Sequence, residues 1–176
     1  MPNPAIDKIQ LLCLDVDGVL TDGAIAIDDH GVETKRFHVR DGTGIRIWTR
    51  LGLHIAFITG RSGMAVRHRA NELGVLHVLQ GVSDKLAAFG SLLNDLELAA
   101  SQAAMLGDDL PDLPIMEMAG YAMAVADAVP EVREAADFVT IRPGGHGAVR
   151  EAIEHLLKEK DRWAEGRALF ERRAGD

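Results

Sequence analysis

The stretch Ile9-Gln10-Leu11-Leu12-Cys13-Leu14-Asp15-Val16-Asp17-Gly18 decides the fold class of this chain. Its apolar run is typical of a strand buried on both faces of a parallel sheet. Side chains alternate along a strand, so Asp15 and Asp17 point the same way at its carboxyl end, and Gly18 permits a sharp turn after them. Two crowded carboxylates are unfavourable unless a cation or a proton relieves their repulsion. The stretch therefore predicts an α/β sheet with a charged site at one edge.

The rest of the chain alternates apolar runs with segments of helical periodicity. Predicted strands cover 53–58, 76–79, 103–106, 121–125 and 138–141, and predicted helices cover 41–51, 62–73, 83–96, 111–119, 129–136 and 147–159. Ser83 is the predicted N-cap of its helix. This alternation predicts right-handed crossovers and a doubly wound (Rossmann-like) parallel sheet with helices on both faces.

Two further segments depart from that alternation. Residues 24–28 and 32–39 flank turn residues and predict a β-hairpin flap, about 24–39, after the first strand. Residues 160–176 mix both charge signs with aromatic residues and form a predicted C-terminal tail, either a surface helix or a partly ordered segment. Residues 1–159 are expected to form a single domain.

Composition excludes several classes of function. A chain of 176 residues with 47% hydrophobic content can bury a core, and its net charge of −8 disfavours a nucleic-acid partner. No apolar run is long enough to span a membrane, and the N-terminus lacks the pattern of a signal peptide. The single cysteine, Cys13, lies in the core strand and suits a reducing compartment. A cytoplasmic protein acting on a small molecule is the expectation.

Polar motifs follow several of the predicted strands. Because the carboxyl ends of parallel strands share one edge, we expect these motifs to converge there. A cluster of carboxylates suits Mg²⁺, whereas a threonine hydroxyl, a backbone amide at a helix N-terminus and an ammonium suit phosphate. The motifs are Asp15 with Asp17, Thr59-Gly60-Arg61, Lys85, and Gly107-Asp108-Asp109 with Asp112 shortly after.

The set and order DxDG, TG, K and GDD resembles the haloacid dehalogenase superfamily of phosphotransferases over almost the whole chain. The stretches 37–46, 58–61 and 144–151 resemble a capless branch of it, the 3-deoxy-D-manno-octulosonate 8-phosphate phosphatases. The segments between the motifs are too short for a cap domain. The resemblance implies an Mg²⁺-dependent phosphatase that supplies the octulosonate sugar of the lipopolysaccharide inner core.

The resemblance also implies a role for each motif residue. Asp15 is the implied nucleophile, which forms an aspartyl-phosphate, and Asp17 is the implied acid that protonates the leaving oxygen and then activates water. Mg²⁺ is implied to bind Asp15, the backbone carbonyl of Asp17, and Asp108. The implied phosphate-binding and outer-shell positions are Thr59, Gly60, Lys85, Asp109 and Asp112.

An acidic sugar phosphate also needs cations for its carboxylate, which arginine can hold through two hydrogen bonds. His38 stands where the family more usually has asparagine, and Arg61 favours the octulosonate enzymes over the nonulosonate 9-phosphate phosphatases, which tend to carry an acidic residue there. The positions implied to line the substrate site are Asp17, His38, Val39, Arg40, Asp41, Gly42, Arg46, Arg61, Arg69 and Lys85.

The missing cap predicts that the site is covered from elsewhere, because an open site hydrolyses and selects poorly. The resemblance implies a homotetramer. We hypothesise that the hairpin flap packs against other subunits, which together cover each site.

Other interpretations stay open at this stage. The same chemistry could act on a nonulosonate 9-phosphate or another small phosphate ester, and the fold could serve as a non-catalytic assembly or regulatory domain. A signalling receiver is disfavoured because Lys85 precedes Asp108, and a dehalogenase because Asp17 suits an alkoxide leaving group. Asp109 and Asp112 could simply cap a helix, Arg46 and Arg69 could be surface residues, and residues 144–147 could form an anion nest or an ordinary loop.

Overall fold

A parallel sheet runs through the centre of the computed structural model, which describes residues 4–171. In chain order the described strands of the protein are β1 (Leu11–Leu14), β2 (Ala26–Ile27), β3 (Glu33–Thr34), β4 (His54–Thr59), β5 (His77–Gln80), β6 (Ala103–Gly107), β7 (Tyr121–Ala124) and β8 (Phe138–Val139). Six of them form the sheet in the order β5-β4-β1-β6-β7-β8, and β2 pairs separately with β3. The strand order steps outward from β1 in both directions, which confirms the doubly wound prediction.

Helices cover both faces of this sheet. In chain order the described α-helices are α1 (Pro4–Asp7), α2 (Val39–Arg50), α3 (Met64–Leu73), α4 (Lys85–Asp95), α5 (Leu113–Met118), α6 (Pro130–Ala135), α7 (Ala148–Glu159) and α8 (Trp163–Ala168). One group joins α2 with α3, α7 and α8, and the other joins α4 with α5 and α6. No described helix has the length and apolar character needed to cross a bilayer. Residues 4–171 contain no cap domain.

The core lies where these helices meet the central strands. All four residues of β1 are buried, and they pair in register with β4 on one side and β6 on the other, as in Leu14 with Phe57 and Leu106. A strand enclosed on both faces and both edges has no route to solvent except at its ends. The buried end of β1 therefore fixes the position of Asp15 and Asp17, which follow it.

The hairpin is shorter than predicted. Only Ala26 with Thr34 and Ile27 with Glu33 pair as strands, and α2 already begins at Val39, inside the range assigned to the flap. The strand ends at Thr34, and Lys35, directly after it, contacts Asp17. A sequence pattern of alternating residues could not reveal that contact.

Helix starts differ from the prediction by one or two residues, and the starts of α4 and α5 show specific features. Asp84, not Ser83, is the N-cap of α4, since its carboxylate accepts a hydrogen bond from the backbone N–H of Ala87 at 2.9 Å. The predicted helix 111–119 is divided into a 3₁₀ turn, Leu110–Asp112, and α5. The carboxylates of Asp109 and Asp112 accept backbone N–H groups at the start of that turn.

Part of the predicted C-terminal tail is a helix packed on the domain. Helix α8 lies against α2 and α7, and Gly166 is so close to the side chain of Ile47 that a larger residue would clash there. The tail is therefore helical over 163–168, while residues 172–176 lie outside the described part of the chain. The short α1 was not predicted, because its four residues are too few to show helical periodicity.

Candidate active site

A cleft of about 690 Å³ opens at the carboxyl ends of β1, β4 and β6, the three central strands of the sheet. Its wall contains residues from each of the four motifs: Asp15, Asp17, Thr59, Gly60, Arg61, Lys85, Asp108, Asp109 and Asp112. The convergence expected from the sequence is therefore present.

Lys85 links two carboxylates at the floor of this cleft. Its Nζ lies 2.6 Å from Asp15 Oδ1 and 2.7 Å from Asp112 Oδ1, and the lysine side chain is only 11% exposed. Burial alone would lower the pKa of Lys85, but the two carboxylates outweigh it and raise that pKa. Lys85 is thus a fixed ammonium at the first position of α4, held among negative charges.

One ammonium does not balance the carboxylates around it. Oxygens of Asp15, Asp108 and Asp112, called here the carboxylate cluster, all lie within 4.8 Å of one another. Burial and the charge of Asp112 raise the pKa of Asp15 to about 6, and burial with the charges of Asp15 and Asp112 raises that of Asp108 to about 8. Asp108 Oδ1 is buried without a hydrogen-bond partner. Crowded hard oxygen ligands with an unpartnered lone-pair donor fit a divalent cation.

Asp112 and Asp109 have different surroundings. Both oxygens of the buried Asp112 are in use, because Oδ2 accepts the backbone N–H of Asp108 at 3.0 Å while Oδ1 contacts Lys85. Asp112 therefore holds the loop after β6 in place. Asp109 is exposed and its carboxylate accepts the N–H of Leu110 at 2.8 Å, as a helix cap does. An outer-shell role for either residue stays a prediction.

Asp17 is held from two sides. Its Oδ2 accepts a hydrogen bond from the hydroxyl of Thr59 at 3.3 Å, and the same hydroxyl accepts the backbone N–H of Arg61 at 3.1 Å. Its Oδ1 contacts the ammonium of Lys35. Gly18 follows with φ +108°, and a Cβ there would overlap the Asp108 carboxylate, so glycine is required on both counts.

Lys35 is a site residue that the sequence analysis missed. Its side chain is 5% exposed, and its Nζ also lies 2.7 Å from Glu33, which in turn pairs with Arg61. Glu33 and Lys35 stand two residues apart, so strand alternation could have placed them on one face. Nothing in the sequence shows that this face meets Asp17.

The other predicted substrate residues lie away from the cleft wall. Arg69 pairs with Glu72 at 2.8 Å and donates to the carbonyl of His38 at 3.4 Å, and Arg46 donates to the Glu72 carbonyl at 3.0 Å. Gly42 adjoins Arg69, and Val39 is exposed at the start of α2. These residues lie together between α2 and α3, outside the cleft.

Arg40 and Asp41 occupy a third location. Arg40 lines a separate cavity together with Arg142 and Arg150. Asp41 is buried and accepts the backbone N–H of Arg150 at 2.8 Å, which fixes α2 against α7. Of the arginines predicted to bind substrate, Arg61 alone lies among the described residues that line the cleft.

Comparison with known proteins identifies this arrangement. A sequence profile of the haloacid dehalogenase-like hydrolases matches residues 71–153. The 3-deoxy-D-manno-octulosonate 8-phosphate phosphatase of Escherichia coli is 49% identical over 151 residues, which cover 86% of this chain and 80% of that protein.

Solved structures agree with the sequence relatives. A 3-deoxy-D-manno-octulosonate 8-phosphate phosphatase from Moraxella catarrhalis, crystallised with magnesium, phosphate and KDO, has a TM-score of 0.92 and 41% identity, covering 95% of this chain and 96% of that one. A cobalt-bound phosphatase of the same kind from Haemophilus influenzae has a TM-score of 0.88 and 36% identity, covering 93% and 99%.

The doubly wound sheet and its four ordered motifs are those of a haloacid dehalogenase-like hydrolase, as the sequence resemblance indicated. Solved relatives hold magnesium or cobalt, and the carboxylate cluster provides a place for a divalent metal. Within this superfamily the chain belongs to the 3-deoxy-D-manno-octulosonate 8-phosphate phosphatase family, whose members are phosphoric monoester hydrolases.

Proposed function

We propose that this protein hydrolyses 3-deoxy-D-manno-octulosonate 8-phosphate to the free sugar acid and phosphate, with Mg²⁺ as its metal, in the synthesis of the lipopolysaccharide core sugar. The observation that carries the proposal is the cluster at the cleft floor. There a buried carboxylate, Asp15, lies 2.6 Å from the Lys85 ammonium and beside Asp108, with Asp17 in the same cleft wall. The family to which the chain belongs supports the choice of substrate.

In the first step a carboxylate oxygen of Asp15 attacks phosphorus, and the bond between phosphorus and the sugar oxygen breaks. Asp17 donates its proton to that oxygen, so an alcohol leaves rather than an alkoxide. Lys85 and the Thr59-Gly60 segment line the cleft where the phosphoryl oxygens carry negative charge. Positioning and charge stabilisation account for most of the catalysis in such a transfer.

In the second step water attacks the phosphorus of the aspartyl-phosphate and Asp17 takes its proton. The acyl-phosphate bond breaks, inorganic phosphate leaves, and Asp15 is restored as a carboxylate. The two steps together consume one ester and one water. Asp17 gives up one proton in the first step and takes one back in the second, so no other proton donor is required.

Asp15 and Asp108 are the side chains that would hold Mg²⁺, with the backbone carbonyl of Asp17 as a further oxygen ligand. Asp112 supports them from behind, because both of its oxygens are already engaged. When bound, the ion supplies positive charge that offsets the repulsion between an anionic nucleophile and an anionic phosphate. Cobalt in the Haemophilus influenzae structure is consistent with a site that accepts several divalent metals.

Arg61 is the residue that favours an eight-carbon acidic sugar. It lies in the cleft wall with its side chain 42% exposed, and although one nitrogen of its guanidinium pairs with Glu33, the exposed part faces solvent where a carboxylate can reach it. A nonulosonate 9-phosphate is the second candidate, because the same two-step chemistry applies to any primary phosphate ester.

Phosphate release from a panel of sugar phosphates, measured with Mg²⁺ and with EDTA, tests the proposal. We expect the octulosonate 8-phosphate to give the highest kcat/KM and chelation to abolish turnover. A higher kcat/KM for the nonulosonate 9-phosphate would reassign the substrate. Full activity in EDTA would remove the metal from the mechanism.

The proposal includes a homotetramer whose subunits cover each other's clefts. The hairpin presents exposed apolar side chains at Ile25, Ile27 and Val32, which is unusual for a surface that stays in water. An assembly would also explain how arginines outside the cleft reach substrate, since Arg46 and Arg69 could serve the site of a neighbouring subunit.

Light scattering on the Ile27→Glu variant tests the assembly. We expect a smaller particle than the wild type and a lower kcat/KM for the sugar phosphate, because a charge on the hairpin opposes burial there. Leu76→Glu is the matched control, since Leu76 is also a large apolar residue, is more exposed than Ile27 and lies outside the hairpin. A wild-type protein that is a fully active monomer would contradict the tetramer.

A further inference from the structure

One lysine of the hairpin segment, Lys35, contacts the site residue Asp17. The side chain of Lys35 is almost fully buried, yet the residue is not among the described residues that line the cleft. It contacts Asp17 but does not itself form part of the cleft wall. No motif of the phosphotransferase chemistry described above uses it.

Lys35 is the middle of a chain of alternating charges. Asp17 Oδ1 contacts Lys35, Lys35 Nζ lies 2.7 Å from Glu33, and Glu33 contacts Arg61 at the cleft wall. Glu33 belongs to β3, so the paired strands of the hairpin supply the rigid part of this chain. An ordinary surface ion pair would be exposed and weak, whereas this one has a lysine with 5% exposure at its centre.

The contact restricts how the Asp17 carboxylate can turn. A carboxylate rotates about its last side-chain bond unless both oxygens are held. Here Thr59 donates to Oδ2 at 3.3 Å and Lys35 contacts Oδ1, so the carboxylate plane is fixed from opposite ends. Each oxygen offers two lone pairs and uses one in these contacts, which leaves one on each oxygen for a proton in transit.

We propose that Lys35, braced by Glu33, is a positioning residue that holds Asp17 in the orientation needed to protonate the leaving oxygen. The inference rests on the proposed function, in which Asp17 is the acid. It gives the hairpin a second task besides covering the cleft, because the segment also sets the geometry of proton transfer. A loosened Asp17 should slow the departure of poor leaving groups and spare good ones.

Two aryl phosphates of similar size and the same charge separate these effects. Phenyl phosphate expels phenoxide, a strong base whose conjugate acid has a pKa of about 10 like the tyrosine side chain, so its departure needs a proton, whereas 4-nitrophenoxide is a much weaker base. We expect Lys35→Met to lower kcat/KM for phenyl phosphate by about 10- to 100-fold and that for 4-nitrophenyl phosphate by less than about threefold. The ratio kcat/KM excludes the later hydrolysis of the aspartyl-phosphate, in which Asp17 also takes part.

Arg36→Met on the same segment is the matched control. Arg36 is 87% exposed and pairs at 2.7 Å with Asp22, so its loss should change both rates by less than about threefold. Glu33→Gln is the second test variant. It keeps the shape of the brace and removes its charge, and we expect the same selective loss at a smaller size.

Equal losses on both aryl phosphates, or no loss on either, would overturn the inference. The first result would mean general damage to the site, and the second would mean that the contact of Lys35 with Asp17 has no part in the reaction. Should Lys35→Met fail to fold, as judged by circular dichroism, the same two outcomes are read from Glu33→Gln. A wild type that hydrolyses both aryl phosphates but not the sugar phosphate would refute the proposed function instead.

Discussion

Replacing Asp15 by asparagine should abolish phosphate release while the protein stays folded. An amide oxygen cannot form the acyl-phosphate, so we expect kcat to fall on the order of 10⁴-fold or more. The side chain has almost the same shape, and the raised pKa of Asp15 indicates that its charge is unfavourable in the metal-free site. The unfolding midpoint should therefore change by no more than about 4 °C. Steady-state phosphate release and thermal unfolding measure the two effects.

Asp137→Asn is the control for this substitution. Asp137 also accepts a backbone N–H, that of Ala122 at 2.8 Å, but it precedes β8 and so lies at the amino end of the sheet, opposite the cleft. We expect wild-type turnover from it. Wild-type turnover from Asp15→Asn would show that another group attacks phosphorus, and loss of the folded state would show that Asp15 is needed for structure.

The sequence was sufficient for the central sheet because its signals are local and repeated. Alternating apolar runs and helices fix a parallel sheet, and parallel strands bring their carboxyl ends to one edge whatever the loops do. Asp15 and Asp108 follow the central strands β1 and β6, and Thr59 is the last residue of β4, so their convergence follows from topology alone. Lys85 was placed correctly in the first turn of its helix even though the cap was assigned one residue early.

Contacts between distant segments were beyond the sequence. Lys35 meets Asp17 because a short hairpin folds back over the turn after β1, and residue types alone do not specify that path. The loop of residues 144–147, which contains three glycines, is a second case. Its amides could have formed an anion nest, but Gly144 donates to Asp127 at 2.9 Å and Gly145 donates to Val19 at 3.0 Å. The loop packs on the turn after β1, and this close approach is what requires glycine there.

Replacing Asp108 by asparagine should produce effects of opposite sign on stability and on metal binding. Burial and the charges of Asp15 and Asp112 raise the pKa of Asp108 to about 8, and its Oδ1 has no hydrogen-bond partner. A neutral amide removes that repulsion, so the metal-free variant should unfold roughly 2–4 °C above the metal-free wild type, equivalent to about 1 kcal/mol. Activity with Mg²⁺ should fall by about 100-fold or more, because an amide oxygen is a weaker ligand for a hard cation.

Added Mg²⁺ should reverse that order. At about 100 times its dissociation constant a ligand adds about 2.7 kcal/mol, which corresponds to roughly 5–10 °C for a chain of this size. We expect the wild type and Asp137→Asn to gain this shift and Asp108→Asn to gain less than about 2 °C. Scanning calorimetry with EDTA and with Mg²⁺ measures it. Equal gains in all three proteins would place the ion elsewhere.

The pH dependence of the same metal-free proteins supplies the sign of the Asp108 effect. A carboxyl whose pKa is raised on folding binds its proton more tightly in the folded state, so its contribution is favourable below the unfolded value of about 3.9 and is lost as pH rises towards about 8. The metal-free wild type should therefore lose stability across that range. In Asp108→Asn only the part of this pH-dependent loss that is due to Asp15, whose pKa is about 6, should remain. Saturating Mg²⁺ should flatten the wild-type profile, because the ion neutralises the charges that proton loss exposes. Parallel profiles for variant and wild type in EDTA would mean that Asp108 carries no unfavourable charge, and the carboxylate cluster would then need no cation to be stable.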